Sequence, residues 1–285
     1  MAHFLRLHFK FLDTMLYCEQ SSMTIPSAIR LFLEYCDAER HFSPQTTETY
    51  RIALADFSEF LHEGFDELPE IEKLRSEDIR PFLGWLHDNG LTKKSIAVKV
   101  AAIKSLCKYL MKNSILTKNP TLLISTPKID KKLPSFLQHE EIMEFFTQFD
   151  VATIDGARNA ALSELLYSSG LRISECLNLK FADIDHSNST VKVLGKGRKT
   201  RIVPVGSSAM NAINDYLKLR PLLVTPDSDS FVFLGNKGGK LNPAMAYKII
   251  HKAMSEVTDS AQKSPHVFRH TFATHLLDNG ADITA

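Results

Sequence analysis

Apolar residues recur at helical spacing through most of this chain of 285 residues, and the spacing changes in only one region. Between residues 190 and 205, two short segments instead alternate apolar and polar side chains, as half-buried strands do. The four residues at 195–198 read GKGR, and their two glycines favour a hairpin turn between the strands. The pattern therefore predicts a mostly α protein with a small β-sheet in its second half.

A break in the helical pattern at 126–135 predicts two domains. This stretch contains two prolines, three lysines and few apolar residues, a composition typical of a linker. We therefore expect a helical domain at 23–127, a linker at 128–135 and a mixed domain of helices and strands at 136–285. With 44% hydrophobic and 24% charged residues, the chain can form packed cores, which excludes an intrinsically disordered protein.

Residues 1–22 are interpreted as an amphipathic N-terminal extension that does not resemble a signal peptide. Arg6, Lys10 and Asp13 interrupt the apolar run, and no cleavage site of small residues follows it. The sequence contains no uninterrupted apolar stretch of about 18 residues, so we expect no membrane span and no membrane partner. The four cysteines stand apart without a CxxC pair, which fits a reducing compartment, and we predict a cytoplasmic protein.

Positive charge is concentrated in one segment, although the formal net charge of the chain is only +1. Residues 93–132 hold ten basic side chains and one acidic one, whereas residues 40–72 hold eight acids and two bases. The helix predicted to follow Thr92 has one apolar face and a row of lysines on another, which favours binding along phosphates. Four of its lysines are predicted to bind DNA: Lys99, Lys104, Lys108 and Lys112. The alternative is a lysine face that contacts only solvent.

Candidate catalytic side chains occur in three other places, of which the first is the segment 170–175. Its sequence is GLRISE, and Gly170 permits a sharp turn after a helix. Arg172 then lies just before the next helix, with Glu175 close enough in sequence to orient its side chain. An arginine at such a position is more often a capping or surface residue, so this segment alone decides nothing.

The second place is the hairpin, where five basic residues and no acid occur within ten positions. They are Lys192, Lys196, Arg198, Lys199 and Arg201. Lys196 lies at the tip between two glycines, from which an ammonium group can reach a groove or a leaving oxygen. We predict that Arg198, Lys199 and Arg201 bind DNA. The alternative is a turn that is merely solvated.

The third place is the helix predicted to begin at Ser264-Pro265. His266 and Arg269 lie close together on one face of its first turn. Free backbone N–H groups and the helix dipole favour an anion there, and a planar guanidinium can bind a phosphate through two parallel bonds. This turn therefore presents a cation and a titratable imidazole to one phosphate.

The histidines of this last helix do not predict a metal site. His266, His270 and His275 are present, but the HExxH motif is absent and His275 falls on the core-facing side of the helix. We therefore predict no metal and no cofactor. The glycine-rich segment 235–240 also lacks the signature of a nucleotide-binding loop, and we interpret it as a hairpin or loop after a strand at 231–234.

Three motifs of the chain together closely resemble those of the tyrosine recombinase (phage integrase) family. In order, they are GLRISE, LGKGRKTRIVPV and SPHVFRHTFATHLLDNGADI. The resemblance extends from near Thr24 to the end and is strongest to the bacterial Xer recombinases. It implies a mostly α protein of two domains, a helical SAM-like core-binding domain and an α+β catalytic domain with a small β-sheet.

The resemblance also implies a role for each matched residue. Arg172 and Arg269 match two catalytic arginines that hold the scissile phosphate and stabilise its pentacoordinate transition state. Lys196 matches a general acid for the leaving 5′ oxygen, and His266 matches a histidine that takes part in proton transfer. Glu175 matches a supporting acid beside the first arginine. The implied chemistry needs neither metal nor ATP.

One element of the family pattern has no counterpart within residues 1–285. The family's nucleophilic tyrosine, and a further histidine or tryptophan, follow the last helix matched here. All seven tyrosines of this chain precede that region. The resemblance therefore leads us to expect a catalytic domain that is incomplete at its C-terminus and a chain that is inactive in DNA cleavage.

The function implied by the resemblance is site-specific DNA recombination, with chromosome dimer resolution at cell division as the expected role. The implied partners are a double-stranded DNA recombination site, a second recombinase subunit in a synaptic tetramer and, as a candidate, a DNA translocase of the division machinery. Three alternatives stay open: a mobile-element integrase, a type IB topoisomerase and a DNA-binding protein without catalytic activity. The helical first domain argues against the topoisomerase.

Overall fold

The computed structural model describes residues 23–38, 42–65, 68–129, 135–195, 199–226, 228 and 230–280. The chain divides into two compact units, Met1–Lys131 and Lys132–Ala285. Within the described ranges, no helix combines the length and the apolar character that crossing a membrane requires.

The described part of the first unit is helical. It contains α1 (Ile25–Ala38), α2 (Pro44–Gly64), a short 3₁₀ helix (Ile71–Lys73), α3 (Ser76–Asp88) and α4 (Lys93–Lys112). Two helix starts follow directly from the sequence, because Ser43 and Thr92 act as N-caps. Their hydroxyl oxygens accept hydrogen bonds at 3.2 Å from the backbone N–H groups of Thr46 and Ser95.

The apolar faces of these four helices form the core of the first unit. Phe57 and Phe82 are fully buried there, and their rings meet edge to face at 5.2 Å between centroids. The stripe predicted for α4 is buried as expected: Ile96, Val100, Ile103, Cys107 and Leu110. This packing leaves other faces of α4 for its lysines.

The second unit combines helices with one small sheet. Its elements are α5 (His139–Thr147), α6 (Ile154–Ser169), α7 (Ile173–Leu177), a 3₁₀ helix (Phe181–Asp183), β1 (Ile184–Asp185), β2 (Thr190–Leu194), β3 (Thr200–Pro204), α8 (Ser207–Leu219), a second 3₁₀ helix (Arg220–Leu223), α9 (Pro243–Val257) and α10 (Pro265–Asp278). Helix α6 packs against α8 and α10, and it is buried around most of its circumference. The predicted mostly α architecture with a small sheet is confirmed.

The sheet has the order β1-β2-β3 and is antiparallel throughout. The hairpin predicted at 190–205 is confirmed, with Val193 opposite Arg201 and Leu194 opposite Thr200. Strand β1 is a two-residue addition that pairs with β2. It is too short to produce a periodic pattern in the sequence.

The strand predicted at 231–234 is wrong. Phe231 and Leu234 form only isolated bridges, with Lys180 and Lys240. The segment is apolar because Val232 and its neighbours are buried in the core, where irregular partners satisfy much of their backbone. One such partner is the guanidinium of Arg220, whose Nε donates to the Val232 carbonyl at 3.0 Å. Burial rather than strand pairing therefore explains this apolar run.

Candidate active site

The turn between α6 and α7 places the first candidate arginine. After α6 ends at Ser169, Gly170 adopts a left-handed conformation with φ of 58°, which glycine reaches without the usual steric cost. The ring of Phe272 packs over this glycine so closely that an added Cβ atom would lie 2.5 Å from a ring carbon. Both the backbone and the packing therefore require glycine at this position.

Arg172 precedes α7 and is fixed by Glu175. The Arg172 backbone N–H donates to Oε2 of Glu175 at 2.9 Å, and its Nη1 donates to Oε1 at 3.2 Å. The Glu175 side chain is 6% exposed, whereas the Arg172 side chain is 46% exposed. A buried carboxylate therefore orients this guanidinium while leaving it open to a ligand.

A second arginine reaches the same carboxylate from the sheet. Arg201 on β3 donates from Nη1 to Oε1 of Glu175 at 3.0 Å and from Nη2 to Oε2 at 2.9 Å. Two parallel bonds of this kind fix both the distance and the angle of the pair. The sequence predicts DNA binding for Arg201, but the structure directs both of its terminal nitrogens to an internal acid.

Arg269 joins this turn from α10. Its Nη1 donates to the Gly170 carbonyl oxygen at 2.5 Å, across 99 positions of the chain. Helix α10 is held in place by Phe268, which is fully buried and packs edge to face on Phe145. The structure thus brings Arg172 and Arg269, which the sequence places in separate motifs, to one turn.

His266 lies in the first turn of α10, three residues before Arg269, and its side chain is exposed. Ser264 occupies the N-cap position, but among the described residues its side chain accepts no hydrogen bond from the helix. Pro265 has no N–H, and the Val267 N–H already donates to the Ser264 carbonyl at 2.9 Å, so it is mainly the positive end of the helix dipole that favours an anion at this turn.

The electrostatics of the cluster favour an anion as its ligand. Burial pushes the pKa of the Glu175 carboxyl upward, but the hydrogen bonds from Arg201 and Arg172 and their positive charges outweigh burial and hold the pKa below its usual value. Glu175 is therefore ionised at neutral pH and neutralises one positive charge. The three guanidinium groups of Arg172, Arg201 and Arg269 leave an excess of positive charge at the turn.

Two protein-family models match the chain. The Phage integrase family matches residues 135–285, and the N-terminal SAM-like domain of phage integrase matches residues 29–114. The chain belongs to the phage integrase family.

Curated relatives lead to the same family. Tyrosine recombinase XerC of Bacillus licheniformis is 38% identical over 262 residues, which cover 91% of this chain and 86% of that protein. Tyrosine recombinase XerC of Bacillus subtilis is 33% identical over 262 residues, with the same two shares. These identities extend through both units of the chain.

Solved structures support the same fold. XerH site-specific recombinase in its post-cleavage complex with a palindromic difH substrate superposes with a TM-score of 0.68 at 23% identity, covering 90% of this chain and 76% of that one. A lambda integrase dimer bound to a COC′ core site also gives 0.68, at 16% identity, covering 91% and 92%. At such low identities these likenesses support the fold alone.

Two predicted site residues of the hairpin, Lys196 and Arg198, lie outside the described residues. The described part of the hairpin closes on either side of them, because the Gly195 N–H donates to the Lys199 carbonyl at 2.8 Å. Lys199 itself is exposed. The roles of these three basic residues stay predictions.

Lys99 differs from the other lysines predicted to bind DNA. Its side chain is 12% exposed, and its ammonium group pairs with the carboxylate of Asp56 within the first unit. Because this pair neutralises the charge of Lys99 internally, its ammonium group offers little to a phosphate. Lys99 is therefore not among the lysines that we propose to bind DNA.

The other three predicted lysines of α4 remain near solvent. Lys108 is exposed, Lys104 donates to Oγ1 of Thr126 at 3.1 Å, and Lys112 lies 5.4 Å from the centre of the Tyr35 ring. These neutral contacts position the ammonium groups without neutralising their charge. We call Lys104, Lys108 and Lys112 the lysine row.

One of the histidines considered as metal ligands, His275, contacts a tyrosine instead. The hydroxyl of Tyr167 lies 3.1 Å from Nδ1 of His275, in hydrogen-bond contact. Within the described ranges, no group of three or more His, Cys, Asp or Glu side chains could hold a metal ion.

Arg201 lies on the inner face of the sheet beside Glu175, which the sequence did not indicate. Side chains alternate along a strand, so Arg201 and Val203 share one face of β3. The partial burial of both identifies this face as the inner one, whereas Ile202 on the outer face is 70% exposed. The sequence shows that exposed and buried side chains alternate along β3. Only the folded sheet shows which of its two faces is internal.

Proposed function

We propose that this chain is a site-specific tyrosine recombinase, a DNA breaking and rejoining enzyme that works through a 3′-phosphotyrosyl link. The observation that carries the proposal is the meeting of Arg172 and Arg269 at the turn after α6, in a chain of the phage integrase family. Two guanidinium groups at one exposed turn suit a phosphodiester in which negative charge grows during attack.

The proposed roles combine this arrangement of the two arginines with the roles that the family resemblance implies. A tyrosine oxygen attacks the phosphorus, the bond to the 5′ oxygen breaks, and Lys196 gives that oxygen a proton. Arg172 and Arg269 bind the non-bridging oxygens, and Glu175 orients Arg172. His266, in the first turn of α10, exchanges a proton with the tyrosine.

The lysine row supplies much of the affinity for duplex DNA. These three ammonium groups lie on the first unit, and Lys199 adds a cation on the second. Contacts with the phosphate backbone position a protein on the duplex without reading its sequence. We therefore assign affinity to the lysines and chemistry to the arginines.

The biological role that we propose is chromosome dimer resolution at cell division. Relatives at 33–38% identity carry the name tyrosine recombinase XerC, and they cover most of both units. The lambda integrase structure is a dimer bound to a COC′ core site, and the XerH structure holds a difH substrate. We propose likewise that this chain acts as part of a synaptic tetramer, with a division-associated DNA translocase as a candidate partner.

We further propose that residues 1–285 alone bind DNA without forming the covalent link. Three nucleophilic side chains of the second unit, two tyrosines and one cysteine, are poorly suited to attack. Burial, followed by the charge of Glu164, raises the pKa of Tyr167. Tyr216 is fully buried and its hydroxyl oxygen accepts from the Leu234 N–H. Burial also raises the pKa of the Cys176 thiol, which opposes a thiolate.

The test is covalent capture on nicked duplexes that carry recombination sites, the difH sequence among them. We would compare residues 1–285 with an extended chain, in which a family segment carrying the tyrosine follows residue 285. The extended chain is expected to give a protein–DNA band that survives denaturant, and residues 1–285 are not. Arg172→Ala in the extended chain is expected to lower capture by at least about 100-fold with little change in DNA affinity.

Two outcomes would contradict these proposals. Capture by residues 1–285 would mean that a residue already present acts as the nucleophile. Equal losses of binding and capture in Arg172→Ala would mean that this arginine only docks the DNA, as the alternative of a DNA-binding protein without catalytic activity requires.

A further inference from the structure

The Glu175 carboxylate binds two arginines, and only one of them has a role in the proposed reaction. Arg172 and Arg201 direct four hydrogen bonds to its two oxygens, at distances between 2.9 and 3.2 Å. Because the Glu175 side chain is 6% exposed, water competes weakly for these bonds. Arg201 therefore belongs to the internal framework of the site.

Arg201 also lies against the first residue of the hairpin turn. A Cβ atom added at Gly195 would lie 2.7 Å from Nη1 of Arg201, so the guanidinium passes directly over this glycine. The Gly195 N–H closes the hairpin by donating to the Lys199 carbonyl. Glu175, Arg201 and the closed end of the hairpin thus form one connected set of contacts, and the residue after Gly195 is Lys196.

We propose that Arg201 is a positioning residue, which anchors the hairpin that carries Lys196 to the turn that carries Arg172. This inference rests on the proposed function, since it takes Lys196 as the general acid. A general acid acts only within hydrogen-bond reach of the leaving oxygen, and a bidentate guanidinium fixes geometry better than a single ammonium does. Loss of the anchor therefore slows protonation without removing the acid.

The alternative is that Arg201 contacts DNA, as its place in a basic hairpin predicts. Its side chain is 39% exposed, but a phosphate would have to break or share the two bonds to Glu175. The two roles differ in one measurable respect. A phosphate contact contributes about 0.9 to the log–log salt slope of binding, and an internal contact contributes nothing.

The first test uses residues 1–285 and a random-sequence duplex. Arg201→Ala is expected to leave the salt slope unchanged, to raise the pKa of the Glu175 carboxyl in carbon-detected NMR, and to accelerate amide exchange at Gly195 by roughly tenfold or more. Lys199→Ala is the matched control, because it removes a neighbouring hairpin cation and leaves the Glu175 pair intact. A slope that falls by about 0.9, or unchanged exchange at Gly195, overturns the proposal.

The second test uses the extended chain and asks whether proton donation is the step affected. Arg201→Ala is expected to slow capture roughly 10- to 100-fold on an ordinary duplex. On a duplex with sulfur in place of the leaving 5′ oxygen, it is expected to match the parent, because a thiolate leaves without a proton. Arg201→Lys is expected to recover part of the rate on the ordinary duplex.

The outcomes separate this proposal from the proposed function. Equal slowing of Arg201→Ala on both duplexes overturns the positioning role and leaves the recombinase standing. Undiminished capture by Arg172→Ala in the extended chain overturns the recombinase mechanism itself.

Discussion

Arg158 and Arg172 both form an ion pair with an acid three residues away, yet the structure uses them in opposite ways. Nη1 of Arg158 lies 3.0 Å from Oδ1 of Asp155, and Nη1 of Arg172 lies 3.2 Å from Oε1 of Glu175. The Arg158 side chain is 2% exposed, whereas the Arg172 side chain is 46% exposed. The local motif is shared, and the surroundings differ.

The protein itself occupies the donors of Arg158. Its Nη1 donates to the Leu234 carbonyl at 3.2 Å and to Oδ1 of Asn236 at 2.7 Å, while its Nε and Nη2 donate to Asn159. Arg158 therefore holds the loop after Leu234 against α6. The comparison teaches that the ion pair does not distinguish a buried structural arginine from one left open to a ligand; the number of protein partners does.

The largest effect that would test this comparison is on stability. Arg158→Ala is expected to lower the free energy of unfolding by about 3 kcal/mol, because it empties a buried position and leaves the carbonyl of buried Leu234 without its donor. Arg172→Ala is expected to change it by less than about 1 kcal/mol, because the Arg172 side chain is 46% exposed and Arg201 still neutralises the buried Glu175 carboxylate. Urea denaturation of both variants measures the difference, and equal losses would remove the distinction.

A somewhat smaller effect is expected at the turn that carries Arg172. Gly170→Ala is expected to cost the roughly 1–2 kcal/mol of a left-handed conformation and a further contribution from displacing the Phe272 ring. The matched control is Gly90→Ala, where φ is 75° and no atom lies within 4 Å of an added Cβ. Similar unfolding free energies for the two variants would show that Phe272 yields without cost.

The smallest effect extends the comparison to the lysines of the first unit. Replacing Lys104, Lys108 and Lys112 by alanine is expected to flatten the log–log salt slope of duplex binding by up to about 0.9 for each lysine. Lys99→Ala is expected to leave that slope unchanged, because Asp56 already neutralises its charge. Fluorescence anisotropy across a salt series measures both, and an unchanged slope in the triple variant would make the lysine row a solvated face.

Local signals predicted much of the fold. The caps Ser43 and Thr92 marked where helices begin, and alternation located the hairpin, because both signals act over a few neighbouring residues. The apolar run at 231–234 was misread, since burial against irregular partners produces the same composition as a buried strand.

The candidate site was predicted in part. The motifs named Arg172, Glu175 and Arg269, but no local pattern showed that Arg269 reaches the Gly170 carbonyl. Arg201 was assigned to DNA because a strand's alternation does not say which face is internal.

The hydrogen bond between Arg269 and Gly170 has a consequence during protein synthesis. Its two residues leave the ribosome 99 positions apart, which at about 5–20 residues per second takes roughly 5–20 s. Throughout that interval the nascent chain carries Arg172 but not Arg269. Phe272, whose ring covers Gly170, has also not yet been synthesised. Every polypeptide released before α10 begins therefore lacks Arg269, and the proposed mechanism predicts that such a prematurely terminated chain cannot cleave DNA.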